Sequence, residues 1–265
     1  GINDSKKLTP KKRQQLYPEI LKNAVSVGIG VVHEDIIDKI NILQSTFLAM
    51  KKSIGDLSVI PQQIIVDGPY SDIKQFPVEC IIDGDKKSHS IAAASIIAKV
   101  YRDNMMNQYD ILFPQFKFIN NKGYGTKVHI DALKIYKAIP IHRKSFKIVK
   151  NNLPTYSFVK STYGINNLSK NIIATKYIKK SYNIFDTNIN LSNFFIDWVF
   201  KKNDLLLFVK LNTSKDNSLY NNKIIHEYNK LIKDYLLEKD IKSKFKFIVN
   251  SVDYFKNKKP TINTV

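Results

Sequence analysis

The stretch "QQIIVDGPYSDIKQFPVECIIDG", residues 62–84, contains two short apolar runs that each end in an aspartate and a glycine. Short runs rich in Ile and Val that stop at Gly and Pro are typical of buried β-strands. A longer segment rich in small side chains, "SIAAASIIAKVYRDNMMNQYDILF" at residues 90–113, follows and indicates a helix lying close to a sheet. Strands that alternate with helices predict an α/β layer.

Further elements are predicted on both sides of this stretch. Thr9 as the N-cap and Pro10 at the first helical position predict a helix over residues 8–24. The remaining predictions for the first part of the chain are a strand at "VSVGIGVVH" (25–33), an amphipathic helix at 34–54, a glycine-bearing loop at "NNKGYGTK" (120–127) and a helix at 129–139.

The composition of the chain changes at "KNNLPTYSFVKSTYGINN", residues 150–167. This segment is polar and predicts a linker. Two domains are therefore expected, one over residues 1–150 and one over residues 165–265. The second is predicted to be a small α/β unit with helices at 168–182 and 224–240 and strands at 194–200, 205–212 and 244–252.

The composition predicts a folded, basic protein. Of 265 residues, 43% are hydrophobic, and 42 basic against 23 acidic residues give a formal net charge of +19. Such a charge favours a polyanionic partner such as nucleic acid. AT-rich coding is an alternative explanation, because it also enriches a chain in Lys, Asn and Ile.

Several functional classes find no support in the sequence. No apolar run approaches the length of a membrane helix, and a single cysteine, Cys80, favours a cytoplasmic protein without an internal disulfide. The histidines lack the spacing of zinc ligands, although His142 in "PIHRKSF" is placed in a basic segment that could touch phosphate or be exposed. Glycine patterns for nucleotide cofactors are missing too, and we expect a monomer without a membrane partner.

Two aspartates are candidates for a metal site. Asp67 ends the first apolar run and Asp85 follows the second, so neighbouring strands would bring both carboxylates to one edge of the sheet. Oxygen ligands of this kind suit Mg²⁺, and paired ions assist phosphodiester cleavage. Taken alone, Asp67 could also be only a turn residue before Gly68, and Asp85 only a helix cap. Lys86, Lys87 and Lys99 could neutralise phosphates, and Tyr124 could stack on a sugar or base or else pack on the core.

These motifs resemble bacterial ribonuclease HII. The resemblance covers about residues 1–150 and is carried, in order, by "GINDSKKLTPKKR", "NILQSTFLAM", "IIVDG", "GDKKSHSIAAASIIAKVYRD", "NKGYGTKVH" and "PIHRKSF". It implies an RNase H-like fold and Mg²⁺- or Mn²⁺-dependent hydrolysis of the RNA strand of RNA/DNA hybrids, including incision at single ribonucleotides in duplex DNA. Its products would be a 5'-phosphate and a 3'-hydroxyl.

The resemblance also implies residue roles. Asp67 and Asp85 are similar to the third and fourth of the family's metal-binding carboxylates. Lys6 resembles the lysine that helps to recognise the ribonucleotide and its phosphate, and Tyr124 resembles the tyrosine that stacks on the following deoxyribose. The 2'-hydroxyl is what distinguishes the ribonucleotide from DNA. Asp83 matches no catalytic position and is expected to shape a turn, and Asp103 is expected to be structural.

One family motif is missing. "DEAGRG", which supplies the first two carboxylates and contacts to the 2'-hydroxyl, would precede "NDSKK" by about two strands, but this sequence has no such segment. We therefore expect an RNase H-like fold without its first strands and weak or absent cleavage by the chain as given. The alternative function is a non-catalytic nucleic-acid-binding protein derived from a decayed ribonuclease.

The second domain resembles the YraN-like family of small proteins with a restriction-endonuclease-like fold. Asp197 matches that family's strand-end aspartate, whereas Lys210 and Asn212 stand where "EVK" would supply a carboxylate and a lysine. A lysine in place of a ligand would repel a metal ion, so this second site is expected to be degenerate and inactive. An ordinary basic α/β module is the alternative.

Overall fold

The computed structural model describes residues 8–214, 217–254 and 260–264. The chain divides into two compact units, one comprising Gly1–Asn107 and Phe116–Leu153 and the other Gln108–Gln115 and Pro154–Val265. Both units contain helices and strands, which confirms the mixed α/β class and the separate C-terminal sheet. Across the described ranges, no helix combines the length and apolar composition needed to cross a bilayer.

The first unit is mainly helical around a small parallel sheet. Strands β1 (Ile64–Asp67) and β2 (Val78–Ile81) pair in parallel, with Asp67 opposite Ile81. The helices are α1 (Pro10–Asn23), α2 (Glu34–Gly55), α3 (Gly84–Lys87), α4 (His89–Leu112, entering the second unit at Gln108), α5 (Phe118–Asn121), α6 (Lys127–Tyr136) and α7 (Lys147–Lys150).

Helix α1 begins as the sequence predicts, because Thr9 Oγ1 accepts a hydrogen bond from the backbone N–H of Lys12 at 3.2 Å. Its apolar stripe packs on α4 in a cluster of buried side chains: Leu16, Ile20, Ile96, Ile97 and Val100. Asp103 of α4 pairs with Lys99 at 2.9 Å and with the buried Arg13 of α1 at 3.9 Å. The pair with Arg13 joins the two helices, the pair with Lys99 lies within α4, and together they give Asp103 the expected structural role.

The strand predicted at residues 25–33 is wrong. This segment is extended but forms no ladder with any strand that the structure describes, and it runs along α2 instead. The Ile29 N–H donates to Asp56 Oδ2 at 2.9 Å, and Lys52 Nζ donates to the Val31 carbonyl at 3.2 Å. A Cβ at Gly30 would collide with the backbone carbonyl of Ala49, so glycine permits this close approach. Among the described residues, the apolar pattern of this segment is explained by its packing on α2.

The second unit is built on a sheet of five strands in the order β3-β4-β5-β6-β7. Its strands are β3 (Asn183–Leu191), β4 (Phe194–Lys202), β5 (Leu205–Leu211), β6 (Lys244–Asp253) and β7 (Thr261–Thr264), and its helices are α8 (Tyr156–Thr162), α9 (Ile165–Lys179) and α10 (Asn222–Glu238). Only β5 and β6 pair in parallel, and the other neighbours are antiparallel.

Helices cover both faces of this sheet. Phe200 contacts Tyr177 of α9, whereas Phe208 contacts Tyr235 of α10. Val199 pairs with Phe208 and is adjacent to Phe200 in the chain, so the two phenylalanines point to opposite faces. The main apolar cluster lies on the α10 side and includes Ile196, Leu206, Phe208 and Ile232.

Three elements of this unit were not predicted. Helix α8 lies inside the expected linker, where Thr155 Oγ1 caps it by accepting from the Phe158 N–H at 3.2 Å. Strands β3 and β7 are the two edges of the sheet, and their polar, Asn-rich sequences are what exposed edges tolerate. Strands of such polar composition contain no apolar run that would predict them from the sequence.

Candidate metal centre and nucleic-acid surface

Asp67 and the segment that contains Asp85 are joined by a hydrogen bond. Asp67 is the exposed last residue of β1, and its Oδ1 accepts from the backbone N–H of Gly84 at 2.9 Å. Gly84 directly precedes Asp85 in the first turn of α3. Parallel pairing of β1 with β2 therefore brings both aspartates to one edge of the sheet, as the sequence predicted. Lys6, the other residue expected at this edge, lies outside the described residues.

The carboxylate of Asp85 has no protein partner among the described residues. The residue is only 5% exposed, and within the described ranges its carboxylate forms no hydrogen bond or ion pair. A buried carboxylate without a partner is energetically costly unless a cation meets it. The two aspartates therefore fit a hard divalent ion, which accepts few protein oxygens and takes waters and phosphate oxygens for the rest. No group of three or more His, Cys, Asp or Glu suited to a metal occurs in the part of the chain that the structure describes.

Asp83 has a different local role from Asp85. Its backbone is left-handed, with φ of 55°, and its exposed carboxylate pairs with Lys86 at 2.9 Å. Asp83 therefore shapes the turn before α3 and is neutralised within it. Lys99 likewise has an acidic partner in Asp103, so of the three lysines expected to meet phosphates only Lys87 is exposed without an ion pair among the described residues.

The Tyr124 ring is a solvent-facing platform. It is 60% exposed, so it is not packed in the core. Two cations of α4 lie against it, because Lys99 Nζ is 5.7 Å and Arg102 Cζ is 5.3 Å from the ring centroid. An exposed aromatic ring beside basic groups can stack on a sugar or base and attract phosphate at the same time.

The loop that carries Tyr124 is shaped from below by Asn121. The buried Asn121 side chain donates to the Phe116 carbonyl at 2.7 Å and accepts from the Gly123 N–H at 2.8 Å. Gly123 has φ of +77°, a conformation that favours glycine. Arg102 Nη1 donates to the Lys122 carbonyl at 2.7 Å, which ties the loop to α4.

Two histidines beneath this loop form a buried pair. The Nε2 atoms of His129 and His142 are 3.0 Å apart, and His129 Nδ1 lies 2.9 Å from the Tyr124 carbonyl oxygen. Burial, and then the charge of a protonated His129, lower the pKa of His142 to about 3. His142 is only 7% exposed, so both surface roles considered for it are wrong. No sequence pattern indicates this pairing, because the two histidines lie on separate segments.

The segment after His142 is held by Asp38 of α2. Asp38 accepts from the backbone N–H groups of Lys144 and Ser145 at 2.8 and 2.9 Å and from the Ser145 hydroxyl at 2.7 Å. Although burial raises it, hydrogen bonds from Ser145 and Lys144 lower the pKa of Asp38 below its ordinary value. Asp38 was not singled out from the sequence, and it fixes the position of the "HRKSF" segment.

The second unit handles its buried aspartate in another way. Asp197 is 2% exposed, and its carboxylate lies 2.7 Å from Lys170 Nζ and 3.4 Å from Lys210 Nζ. Asp197 Oδ2 also accepts from the Leu211 N–H at 2.7 Å, and the next residue, Asn212, is buried. The structure thus brings Asp197, Lys210 and Asn212 together and adds Lys170 of α9, which sequence reasoning missed. Two ammonium groups stand where a metal ion would have to bind.

Taken together, the first unit is an α/β module in which Asp67 and the segment that carries Asp85 meet at one edge of the sheet, and it also carries a basic, aromatic loop at Tyr124. Comparison with known proteins identifies the family of the chain. The sequence profile of the ribonuclease HII family matches residues 1–149, so the chain belongs to this family.

Two curated relatives agree with that assignment. Ribonuclease HII of Lactobacillus helveticus is 53% identical over 150 residues, covering 57% of this chain and 60% of the relative. Ribonuclease HII of Enterococcus faecalis is 50% identical over 151 residues, covering 57% and 59%. The crystal structure of ribonuclease H2 from Pyrococcus horikoshii aligns with a TM-score of 0.49 and 23% identity over 57% of this chain and 79% of that chain. The chain therefore spans about three fifths of the length of the curated relatives it matches.

Proposed function

We propose that the first unit is an endoribonuclease that hydrolyses the RNA strand of RNA/DNA hybrids and cuts at ribonucleotides embedded in duplex DNA. Membership of the ribonuclease HII family supports this substrate class. The observation that carries the proposal is Asp85, a buried carboxylate without a protein partner among the described residues, directly after the N–H that binds Asp67. The basic composition, with a net charge of +19, favours a polyanionic substrate.

In this proposal Asp67 and Asp85 hold Mg²⁺ or Mn²⁺ at the edge of the β1-β2 sheet. A divalent ion bound there would activate water and stabilise the leaving oxygen of a phosphodiester, giving a 5'-phosphate and a 3'-hydroxyl. The hydrogen bond from the Gly84 N–H occupies one oxygen of Asp67 and orients its carboxylate. The Asp85 carboxylate has no hydrogen bond or ion pair among the described residues, so its oxygens are available to a cation.

The exposed Tyr124 ring is proposed to stack on the deoxyribose that follows the ribonucleotide. Arg102, which lies against the ring, supplies positive charge beside the phosphate backbone, whereas Lys99 is already paired with Asp103. Lys6 is proposed to bind the ribonucleotide and its phosphate by its resemblance to the family motif. We further propose that the protein acts as a cytoplasmic monomer and needs no nucleotide cofactor, in keeping with its single cysteine and the lack of nucleotide-binding glycine patterns.

A duplex with one ribonucleotide tests this function. Incubated with Mg²⁺ or Mn²⁺, the protein is expected to cut at the ribonucleotide, leaving a 3'-hydroxyl that a polymerase can extend. Incision is expected to be slow, because the described residues supply two of the four carboxylates that the family resemblance implies. Asp67→Asn and Asp85→Asn should abolish it, whereas the matched control Asp83→Asn should not. Incision that survives Asp85→Asn, or that leaves a 3'-phosphate, would contradict the proposal.

A second candidate is binding of hybrids without turnover. It is favoured by the presence of only two clustered carboxylates among the described residues, together with the net charge of +19. Under this alternative the protein binds RNA/DNA hybrid with an affinity that falls steeply with salt, yet yields no cut ends after prolonged incubation with either metal. Any ribonucleotide-specific incision that depends on Asp85 rules out the alternative.

The second unit is proposed to be a degenerate endonuclease-like module of the YraN-like type. Support comes from Asp197, which is buried on β4, and from the two lysines that neutralise it. Since ammonium groups occupy the surroundings of the carboxylate, we expect no metal-dependent chemistry there. Nuclease activity of a Asp85→Asn protein that disappears on Asp197→Asn would contradict this assignment.

A further inference from the structure

The buried histidine pair lies directly behind the Tyr124 loop and has no role in the function proposed above. His142 Nδ1 accepts from the Ile139 N–H at 3.1 Å, the two Nε2 atoms are 3.0 Å apart, and His129 Nδ1 is 2.9 Å from the Tyr124 carbonyl oxygen. These contacts form a continuous chain of hydrogen bonds from the backbone at Ile139 to the backbone at Tyr124.

The chain of contacts fixes the tautomer of each imidazole. A backbone N–H can only donate, so His142 Nδ1 carries no proton and its single proton is on Nε2. A carbonyl oxygen can only accept, so His129 carries its proton on Nδ1. His142 Nε2–H then donates to His129 Nε2. An added proton would place two donors face to face, so the pair is neutral when the hydrogen bonds are complete.

Aromatic side chains enclose the pair. The rings of Phe116 and Phe118 contact both imidazoles, with centroids 5.1 to 6.1 Å apart. His129 is 8% and His142 7% exposed. In these apolar surroundings each hydrogen bond is stronger than it would be in water, and losing one leaves a buried polar atom without a partner.

The backbone of Tyr124 is held by hydrogen bonds on both its N–H and its carbonyl, whereas its ring is 60% exposed and contacts only Lys99 and Arg102 among the described cations. Its carbonyl accepts from the Thr126 N–H at 2.8 Å and from His129, and its N–H donates to the Asn121 carbonyl at 2.8 Å. Because the exposed ring has few packing contacts, the fixed backbone decides where the ring is presented.

We propose that His129 and His142 are positioning residues, a neutral hydrogen-bonded pair that fixes the Tyr124 carbonyl and so presents the Tyr124 ring to the nucleic acid. The inference rests on the proposed function, because it takes Tyr124 as the surface that meets the hybrid. His129 acts on Tyr124 directly, and His142 acts through His129 by holding its tautomer.

Nitrogen-15 NMR of the histidine rings tests the tautomers of the hydrogen-bonded pair without any substrate. In the intact protein at neutral pH we expect the Nε2–H tautomer for His142 and the Nδ1–H tautomer for His129, which is the less common form in solution. The exposed His226 serves as the internal reference for the ring signals. An Nε2–H tautomer at His129 would overturn the proposal, whatever the substrate proves to be.

A double-mutant cycle on hybrid affinity tests the role of the pair. Binding of a fluorescent RNA/DNA hybrid is measured in metal-free buffer for Tyr124→Ala, His129→Leu, the double variant and the control His226→Leu. We expect Tyr124→Ala to weaken binding about 10-fold or more and His129→Leu to weaken it several-fold. In the Tyr124→Ala background His129→Leu should have no further effect, and His226→Leu should have none in either background.

The conservative variant His129→Asn separates positioning from a general loss of folding. Its amide nitrogen lies near the place of Nδ1 and can still donate to the Tyr124 carbonyl, so affinity should return to within about 2-fold of wild type. Additive effects of His129→Leu and Tyr124→Ala would overturn the inference while leaving Tyr124 as the platform. An affinity unchanged by Tyr124→Ala would overturn both the platform and the inference, even with the expected tautomers.

Discussion

Asp85 and Asp197 are both buried carboxylates in an α/β unit, yet their surroundings are opposite. Asp85 is 5% exposed and has no cation or donor bound to it among the described residues, whereas Asp197 is 2% exposed and bonds to two lysines. Burial alone therefore does not mark a metal site. What distinguishes the two positions is whether the protein itself already supplies the compensating charge.

The presence or absence of partner lysines also has different consequences for folding and for metal binding. A carboxylate neutralised by lysines can contribute to folding in the absence of any ligand, but it repels a metal ion. An uncompensated carboxylate lowers stability until a cation binds, which is the usual trade-off at functional sites. Opposite effects of removing the two charges are therefore expected.

The largest effect is expected for Asp197→Asn. This change leaves Lys170 and Lys210 without their shared partner, and breaking a buried ion pair in this way typically destabilises by about 3–5 kcal/mol. Urea unfolding followed by Trp198, the only tryptophan of the chain, reports on this sheet directly. Asp204→Asn in the exposed β4-β5 turn is the matched control and should change the free energy of unfolding by less than about 0.5 kcal/mol. Equal effects of the two variants on the free energy of unfolding would contradict the view that Lys170 and Lys210 compensate the charge of Asp197.

The histidine pair provides a third case, in which burial is tolerated because no charge is present. The pKa of His142 is lowered to about 3, so the folded protein does not take up the proton that the unfolded chain binds near pH 6.5. The unfolded state then binds more protons, and stability falls as pH decreases between about 6.5 and 3.

The free energy of unfolding is expected to fall by about 1.4 kcal/mol for each pH unit below 6.5, which is about 2 kcal/mol at pH 5. Hydrogen exchange of the α6 amides at pH 7 and pH 5, corrected for intrinsic rates, measures this loss of stability in the first unit. In His142→Asn the same pH change should cost about 2 kcal/mol less, since the titrating group is gone. A pH dependence identical in the two proteins would show that His142 is protonated in the fold.

A smaller effect of opposite sign is expected for Asp85→Asn. In metal-free buffer the substitution removes an uncompensated buried charge, so the free energy of unfolding of the first unit should rise by about 0.5–1 kcal/mol. Hydrogen exchange of the β1 and α4 amides measures this change, with Asp83→Asn as the control at an exposed neighbouring carboxylate. A destabilisation as large as that of Asp197→Asn would mean that Asp85 already has a partner in the fold.

The sequence predicted those elements whose local signals agree with their packing. Thr9 and Pro10 mark the start of α1 correctly, and the apolar runs that end at Asp67 and Ile81 do form adjacent parallel strands. In contrast, residues 25–33 have a strand-like pattern but pack on α2, because two glycines allow the backbone to approach the helix. A local pattern records burial and does not identify the neighbour.

The candidate site was predictable only in part for the same reason. The proximity of Asp67 to the α3 segment follows from strand pairing, which is visible in the sequence. The contacts of His129 with His142, and of Lys170 with Asp197, join residues from separate segments, and no spacing in the sequence encodes them. Lys6 lies outside the described residues, so its role at the site stays a prediction.

Binding of Mn²⁺ is the most direct test of the central claim that Asp67 and Asp85 form a metal site while Asp197 does not. Titration followed by electron paramagnetic resonance should show Mn²⁺ bound by the wild-type protein and by Asp83→Asn, and no binding at the same concentrations by Asp85→Asn. Equal binding by Asp85→Asn and the wild type would contradict the claim.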